Sequence, residues 1–198
     1  MGTRNLTIVY VDGEYKVAQY GQFDGYPEGQ GLTCLNFLRD EMNESLFRKR
    51  LKNVCFGTDE EINLIFKSFG ADDNGWISYK DYDRLGEAYP ALHRSTAAEI
   101  LSLIQSGSAQ MLVNDISFAA DRSCEWAYVI DLDKRTFEVY SCYDVRPHTE
   151  DNRFNSLVLK LVSSWSIDDL PTEDEFLKQT SSEAVEEEDE TEKWEQLL

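Results

Sequence analysis

No apolar run in this chain approaches the roughly 20 residues that span a bilayer, and no membrane partner is expected. The first residues, "MGTRNLTIVYV", lack the charged-then-apolar layout of a secretion signal. They are not a myristoylation signal either, because Leu6 stands where that motif wants Ser or Thr. The expectation is a cytoplasmic protein. Cysteine and histidine are scarce: Cys34, Cys55, Cys124 and Cys142 form no Cys-x-x-Cys pair, and His93 and His148 are the two histidines. That excludes the common zinc spacings, so no metal is expected. In a reducing compartment the cysteines are read as free thiols, and the sequons at Asn5 and Asn43 carry no meaning without a secretory route. Also missing are a Gly-x-Ser-x-Gly elbow, a His-Glu-x-x-His pair and a Walker loop, so no cofactor is expected.

Positive charge is the other shortage. Against 19 basic residues stand 38 acidic ones, a net charge of −19 over 198 residues. Residues 172–198 account for −9 of this and the body for −10, so the body is acidic in its own right. Such a field repels nucleic acid and anionic membrane and attracts basic partners. The chain is 41% hydrophobic and 12% aromatic, enough for a packed interior. The exception is the far end: from residue 180 it is poor in apolar side chains and dense in Glu, which predicts one domain over residues 1–179 and a disordered acidic tail over 180–198.

β-rich runs at residues 6–11 and 15–20 flank Asp12-Gly13, a strong hairpin signal. A glycine-rich stretch, "QYGQFDGYPEGQG", leads into a helix with Leu32, Leu35, Leu38 and Met42 on one stripe. A second helix is expected over residues 45–54. Thr58 with Glu61 forms a capping box, followed by Ile62, Ile65, Phe66 and Phe69 at helical spacing. Two more capping boxes are read at Thr96–Glu99 and Thr172–Glu175, and Gly107 is a C-cap. Residues 111–118 are a strand candidate weakened by Asn114-Asp115. "CEWAYVIDLDKRTFEVYSC" is a hairpin about Asp133-Lys134 that brings Cys124 and Cys142 nearly opposite each other. "SLVLKLVSSW" fits both periods and is read as a strand. Strands, then helices, then strands predict an α+β fold: an antiparallel sheet of hairpins with a helical middle segment.

Two motifs invite a chemical reading. "FKSFGADDNGWISYKDYDRL" has the look of a calcium loop, but with Gly75 as the turn glycine the first ligand position falls on Gly70 and the last on Asp81. An Asx-type turn between helices is the expectation. The glycine-rich stretch has the look of a phosphate cradle, yet residues 17–38 contain no Lys or Arg, while Asp24 and Glu28 add negative charge. It reads as a strand-to-helix corner, with Gln19, Gln22, Tyr26 and Gln30 as its candidate ligand-contacting rim.

The start, "GTRNLTIVYVDGEYKVAQYGQ", resembles that of N-terminal-nucleophile hydrolases such as the proteasome-like proteases. The resemblance implies their layered fold, with Thr3 as a nucleophile freed by cleavage after Gly2. Tyr20 stands where those proteases carry an aspartate, and no lysine lies between Lys16 and Lys49. Across the whole chain, "GTRNL", "KVAQYGQFDGYPEGQG", "CEWAYVIDLDKRTFEVY" and "SIDDLPTEDEFL" resemble a family of phage, bacterial and fungal proteins that brings no mechanism with it. The setting implies a phage or mobile-element inhibitor of host defence, of anti-CRISPR or anti-restriction type. The expected function is therefore a non-enzymatic acidic binding protein. Its candidate contacts are Asp72, Asp73, Asp81 and Asp83, together with Glu186, Glu187, Glu188, Asp189 and Trp194 of the tail. Its expected partner is a basic protein that handles nucleic acid; an amide hydrolase using Thr3 is the alternative.

Overall fold

The computed structural model describes residues 2–143, 153–154 and 158–181. Strands β1 (Asn5–Val11) and β2 (Glu14–Gly21) form the expected hairpin. Asp12 and Gly13 both take left-handed backbone, with φ of 54° and 79°, as a type I′ turn requires. Later in the chain, β5 (Trp126–Asp131) and β6 (Thr136–Ser141) form a second hairpin about Asp133-Lys134. One side chain joins the two turns: the Asp133 carboxylate accepts the Asp12 and Gly13 amides at 3.0 and 2.9 Å. Strand β7 (Lys160–Ser166) pairs antiparallel with β6.

The five strands run in the order β2-β1-β5-β6-β7. The α+β class is as expected, but the sheet is not made of antiparallel hairpins throughout. Its central pair, β1 with β5, is parallel, from Asn5 opposite Trp126 to Tyr10 opposite Asp131. A parallel pair needs a long crossover, and residues 22–125 supply it, carrying α1 (Leu32–Asn36), α2 (Glu44–Leu51), α3 (Asp59–Ser68), α4 (Tyr79–Ala88) and α5 (Ile100–Ser106). A small parallel pair also forms there, β3 (Cys55–Phe56) with β4 (Met111–Leu112). The strand expected over residues 111–118 stops at Leu112 because the side chains beyond it turn the chain. Asn114 Oδ1 accepts the Ile116 amide and Asp115 Oδ2 accepts the Tyr20 amide, each at 3.2 Å.

Capping boxes close at Thr58–Glu61 and at Thr172–Glu175, the latter starting α6 (Glu173–Thr180). So α6 runs to the first residue of the predicted tail, and residues 182–198 lie outside the described part. The box expected at Thr96 does not form. Thr96 is itself in helical conformation and its hydroxyl donates to the Pro90 carbonyl.

One face of the sheet, with Val9, Tyr128, Ile130 and Phe137, buries Leu35, Phe47, Ile104 and Phe176 from the helices. The other, with Leu6, Ile8, Val129 and Tyr140, is covered by Ala119, Cys124, Phe154 and Leu159. Cys142 packs against this second cluster beside Cys124, and both are free thiols. Here Arg153 donates to Glu138 through Nε and Nη2, both at 2.9 Å, and to Asp131, while lying 5.1 Å over the Tyr10 ring. Asp131 is wholly buried and Glu138 nearly so. Burial drives the Glu138 pKa up, but Arg153 and the hydroxyls of Tyr140 and Thr136 outweigh it and hold the carboxyl below its ordinary value. Replacing Arg153 with Met leaves two buried carboxylates without their cation. Urea unfolding at neutral pH is expected to show a loss of about 3–5 kcal/mol.

Candidate functional site

The glycine-rich stretch is a corner locked to the sheet. The buried Tyr128 hydroxyl donates to the Gly25 carbonyl at 2.8 Å, and the Gly25 amide donates to the Thr3 carbonyl at 3.0 Å. A Cβ at Gly25 would lie 2.6 Å from the Thr3 carbonyl oxygen, and one at Gly29 would lie 2.2 Å from that of Asp24. Glycine is required here by close backbone approach. The candidate rim is engaged within the corner. Gln19 is buried, and Gln22 Oε1 accepts the Tyr20 hydroxyl at 2.6 Å. Tyr26 donates to Asp24 at 3.1 Å, and Gln30 Oε1 accepts the Ala98 amide at 3.0 Å. Gln30 thus serves the turn before α5, where the Thr96 box was expected.

The second candidate region is an arm made of α3, the loop after it and α4. None of the ten α3 residues is buried, and Leu85 is the one buried residue of α4. The stripe of Ile62, Ile65, Phe66 and Phe69 is half-buried: Phe66 meets Tyr82 with ring centres 6.4 Å apart, and Phe69 meets Tyr89 at 6.0 Å. Three large apolar side chains stand in solvent: Leu64 is 67% exposed, Trp76 68% and Tyr79 81%.

The carboxylates around them have distinct roles. Asp72 Oδ1 accepts the Asn74 and Trp76 amides at 2.9 and 2.8 Å, which is the Asx-type turn read from the sequence. Asp73 pairs with Lys67 at 3.1 Å. Asp81 accepts the Ser78 hydroxyl at 2.6 Å and pairs with Arg84 at 3.1 Å, and these contacts lower its pKa. Asp83 is exposed. Among the described residues no group of three or more His, Cys, Asp or Glu is arranged to hold a metal.

The base of the arm is aromatic. Tyr82 lies between the His93 ring, 4.4 Å away, and the Arg94 guanidinium, 5.5 Å away, and its hydroxyl accepts the Arg94 amide at 3.0 Å. Arg94 also lies 6.0 Å from the Phe23 ring centre, which links the arm to the glycine-rich corner. Sequence reasoning missed this stack and the exposure of Trp76. The Asp-Asp-Asn-Gly turn immediately before Trp76 was the available signal, since it projects the next residue at a loop tip.

Other groupings do not assemble. Ser95 Oγ lies 2.5 Å from His93 Nδ1, yet among the described residues no carboxylate hydrogen-bonds the ring to complete a triad. Thr3 stands at the head of β1, whereas Lys16 lies beside Val9 and Tyr10, roughly 20 Å along the strand at about 3.4 Å per residue. His148, Glu186, Glu187, Glu188, Asp189 and Trp194 lie outside the described residues. Comparison with protein-family models, with curated proteins and with solved structures finds no match to this chain.

Two measurements check this geometry. Gly29→Ala forces a Cβ onto the Asp24 carbonyl and is expected to cost about 1–3 kcal/mol in urea unfolding. Burial is the main cause lowering the His93 pKa; Arg94 adds to it and Asp83 opposes it. The unfolded chain then binds more protons just below His93's ordinary value of 6.5, so this stability is present above about pH 6.5 and lost as pH falls. Urea midpoints at pH 7.5 and 5.5 are expected to differ less in His93→Gln than in the parent.

Proposed function

We propose that this chain is a non-enzymatic binding protein whose α3–α4 arm engages a basic partner. The observation that carries this reading is the set of exposed apolar side chains, Leu64, Trp76 and Tyr79, on an element with almost no buried residues. A core would bury such residues, and Trp and Tyr are the side chains that anchor interfaces. Charge selects the partner: residues 59–88 hold eight carboxylates against Lys67, Lys80 and Arg84. Apolar anchors ringed by carboxylates suit a surface that alternates apolar and cationic side chains. A nucleic-acid-handling protein has such a surface, and the phage-like setting implied by the family resemblance favours a defence nuclease, with inhibition as the outcome. The acidic tail, through Glu186, Glu187, Glu188, Asp189 and Trp194, would add long-range attraction.

Hydrolysis by Thr3, with the layering of N-terminal-nucleophile enzymes, draws less support. Its one favourable observation is the place of Thr3 at the head of a strand; the distance to Lys16 counts against it. Intact-mass measurement separates the two, because a mature chain retaining Gly2 cannot use the Thr3 amine as a base.

The binding reading is tested by calorimetric titration with a synthetic amphipathic peptide of leucine and lysine. Its affinity is expected to fall about tenfold between roughly 50 and 300 mM salt, and to fall again in Trp76→Ala, whose thermal unfolding should match the parent. Affinity indifferent to both salt and Trp76 would overturn the reading.

A further inference from the structure

A pocket of about 140 Å³ opens between the β1–β2 turn and α2, far larger than the ~10–15 Å³ that admits one water. Its floor is apolar, formed by Val11 and Leu51, both almost fully buried. Its rim carries Lys16, Arg48 and Lys52, with Asp12 as the single carboxylate. In a chain of net charge −19 this is a reversal of sign, and it is concentrated: residues 45–58 contain Arg48, Lys49, Arg50 and Lys52 and no Asp or Glu.

The three cations differ in readiness. Arg48 is fixed, with Nε donating to Glu44 at 2.9 Å and Nη2 donating to the Leu132 carbonyl at 2.7 Å. The same carboxylate also receives Arg135 at 2.9 and 3.0 Å, and Arg135 pairs in turn with Asp168 at 2.6 Å. Lys16 pairs at 2.6 Å with Glu14, whose side chain is 59% exposed; a pair so placed is worth little and is readily exchanged. Lys52 is exposed and makes no ion pair among the described residues. Basic residues at the end of α2 also complement its dipole. That accounts for the helix alone and explains neither Lys16, which comes from another element, nor the concavity.

We infer that this pocket binds a small phosphate monoester, the dianion seated between Lys16 and Lys52 and its organic group on Val11 and Leu51. Two flexible ammonium groups suit a phosphate as point charges, with Arg48 as a preset third. The apolar floor gives an ester an advantage over inorganic phosphate. The site is separate from the arm, so it stands or fails independently of the partner reading above.

The test is amide NMR of the full chain at constant ionic strength, titrated with inorganic phosphate, phenyl phosphate and sulfate. Saturable shifts at Val11, Asp12, Leu51 and Lys52 are expected, with phenyl phosphate binding about tenfold more tightly than inorganic phosphate. Lys16→Gln with Lys52→Gln is expected to weaken phenyl phosphate about tenfold or more, while Lys67→Gln and Lys80→Gln on the arm leave it unchanged. Lys16 is half-buried and the other three lysines are exposed, and thermal unfolding of each double variant confirms that it folds. Shifts that stay linear in concentration, that sulfate reproduces equally, or that survive the pocket substitutions would overturn the inference.

Discussion

The hydrogen bond from Tyr128 to the Gly25 carbonyl is the constraint on which the arrangement of this molecule depends. It is made inside the core by a tyrosine of the central strand pair, where a hydroxyl without a partner costs about 1–3 kcal/mol. Satisfying it brings the glycine-rich corner down onto the sheet, and Gly25 then holds the Thr3 carbonyl just ahead of β1. From that corner Gln30 reaches the turn before α5, and Phe23 reaches Arg94 at the base of the arm. One buried contact therefore sets the position of the helical layer and of the surface assigned to binding.

The opposite face depends on charge. Arg153 is tied to β5 and β6 through Asp131 and Glu138, which pair with no other cation among the described residues. Removing the cation is costly because the acids cannot regain water. The arm is held in a third way, by ring contacts of a kind worth about 0.5–1.5 kcal/mol each, and by the single buried Leu85. The element with the weakest attachment is the one we propose engages a partner, and binding segments are generally drawn from the low-stability end of a fold.

Short-range features were legible in the sequence. Asp12-Gly13, the Thr58 and Thr172 capping boxes, the Asp133-Lys134 turn and the Asx turn at Asp72 depend on residues a few positions apart, and each stands where the residues indicated. What was not legible depends on distance. The parallel pairing of β1 with β5 joins residues more than a hundred positions apart; both strands are buried on both faces, and their near-continuous apolar runs mark central strands without naming the partner. Thr96 and Glu99 satisfy the capping pattern but lose to Pro90 and Gln30, which come from elsewhere in the fold. For the candidate site, the acidic residues were legible and the exposure of Leu64, Trp76 and Tyr79 was not. Helical periodicity says which side chains share a face and is silent on whether anything covers it.

The parallel seam also fixes when the sheet can be completed. The β1–β2 hairpin closes from neighbouring residues, but one edge of β1 has no partner until β5 has been made and the crossover has folded into place. At roughly 5–20 residues per second on the ribosome, that edge stays open for several seconds. An unpaired apolar edge is a template for aggregation. A new chain is thus exposed to misassembly throughout the synthesis of its helices, and the acidity of the body keeps emerging copies apart during that interval.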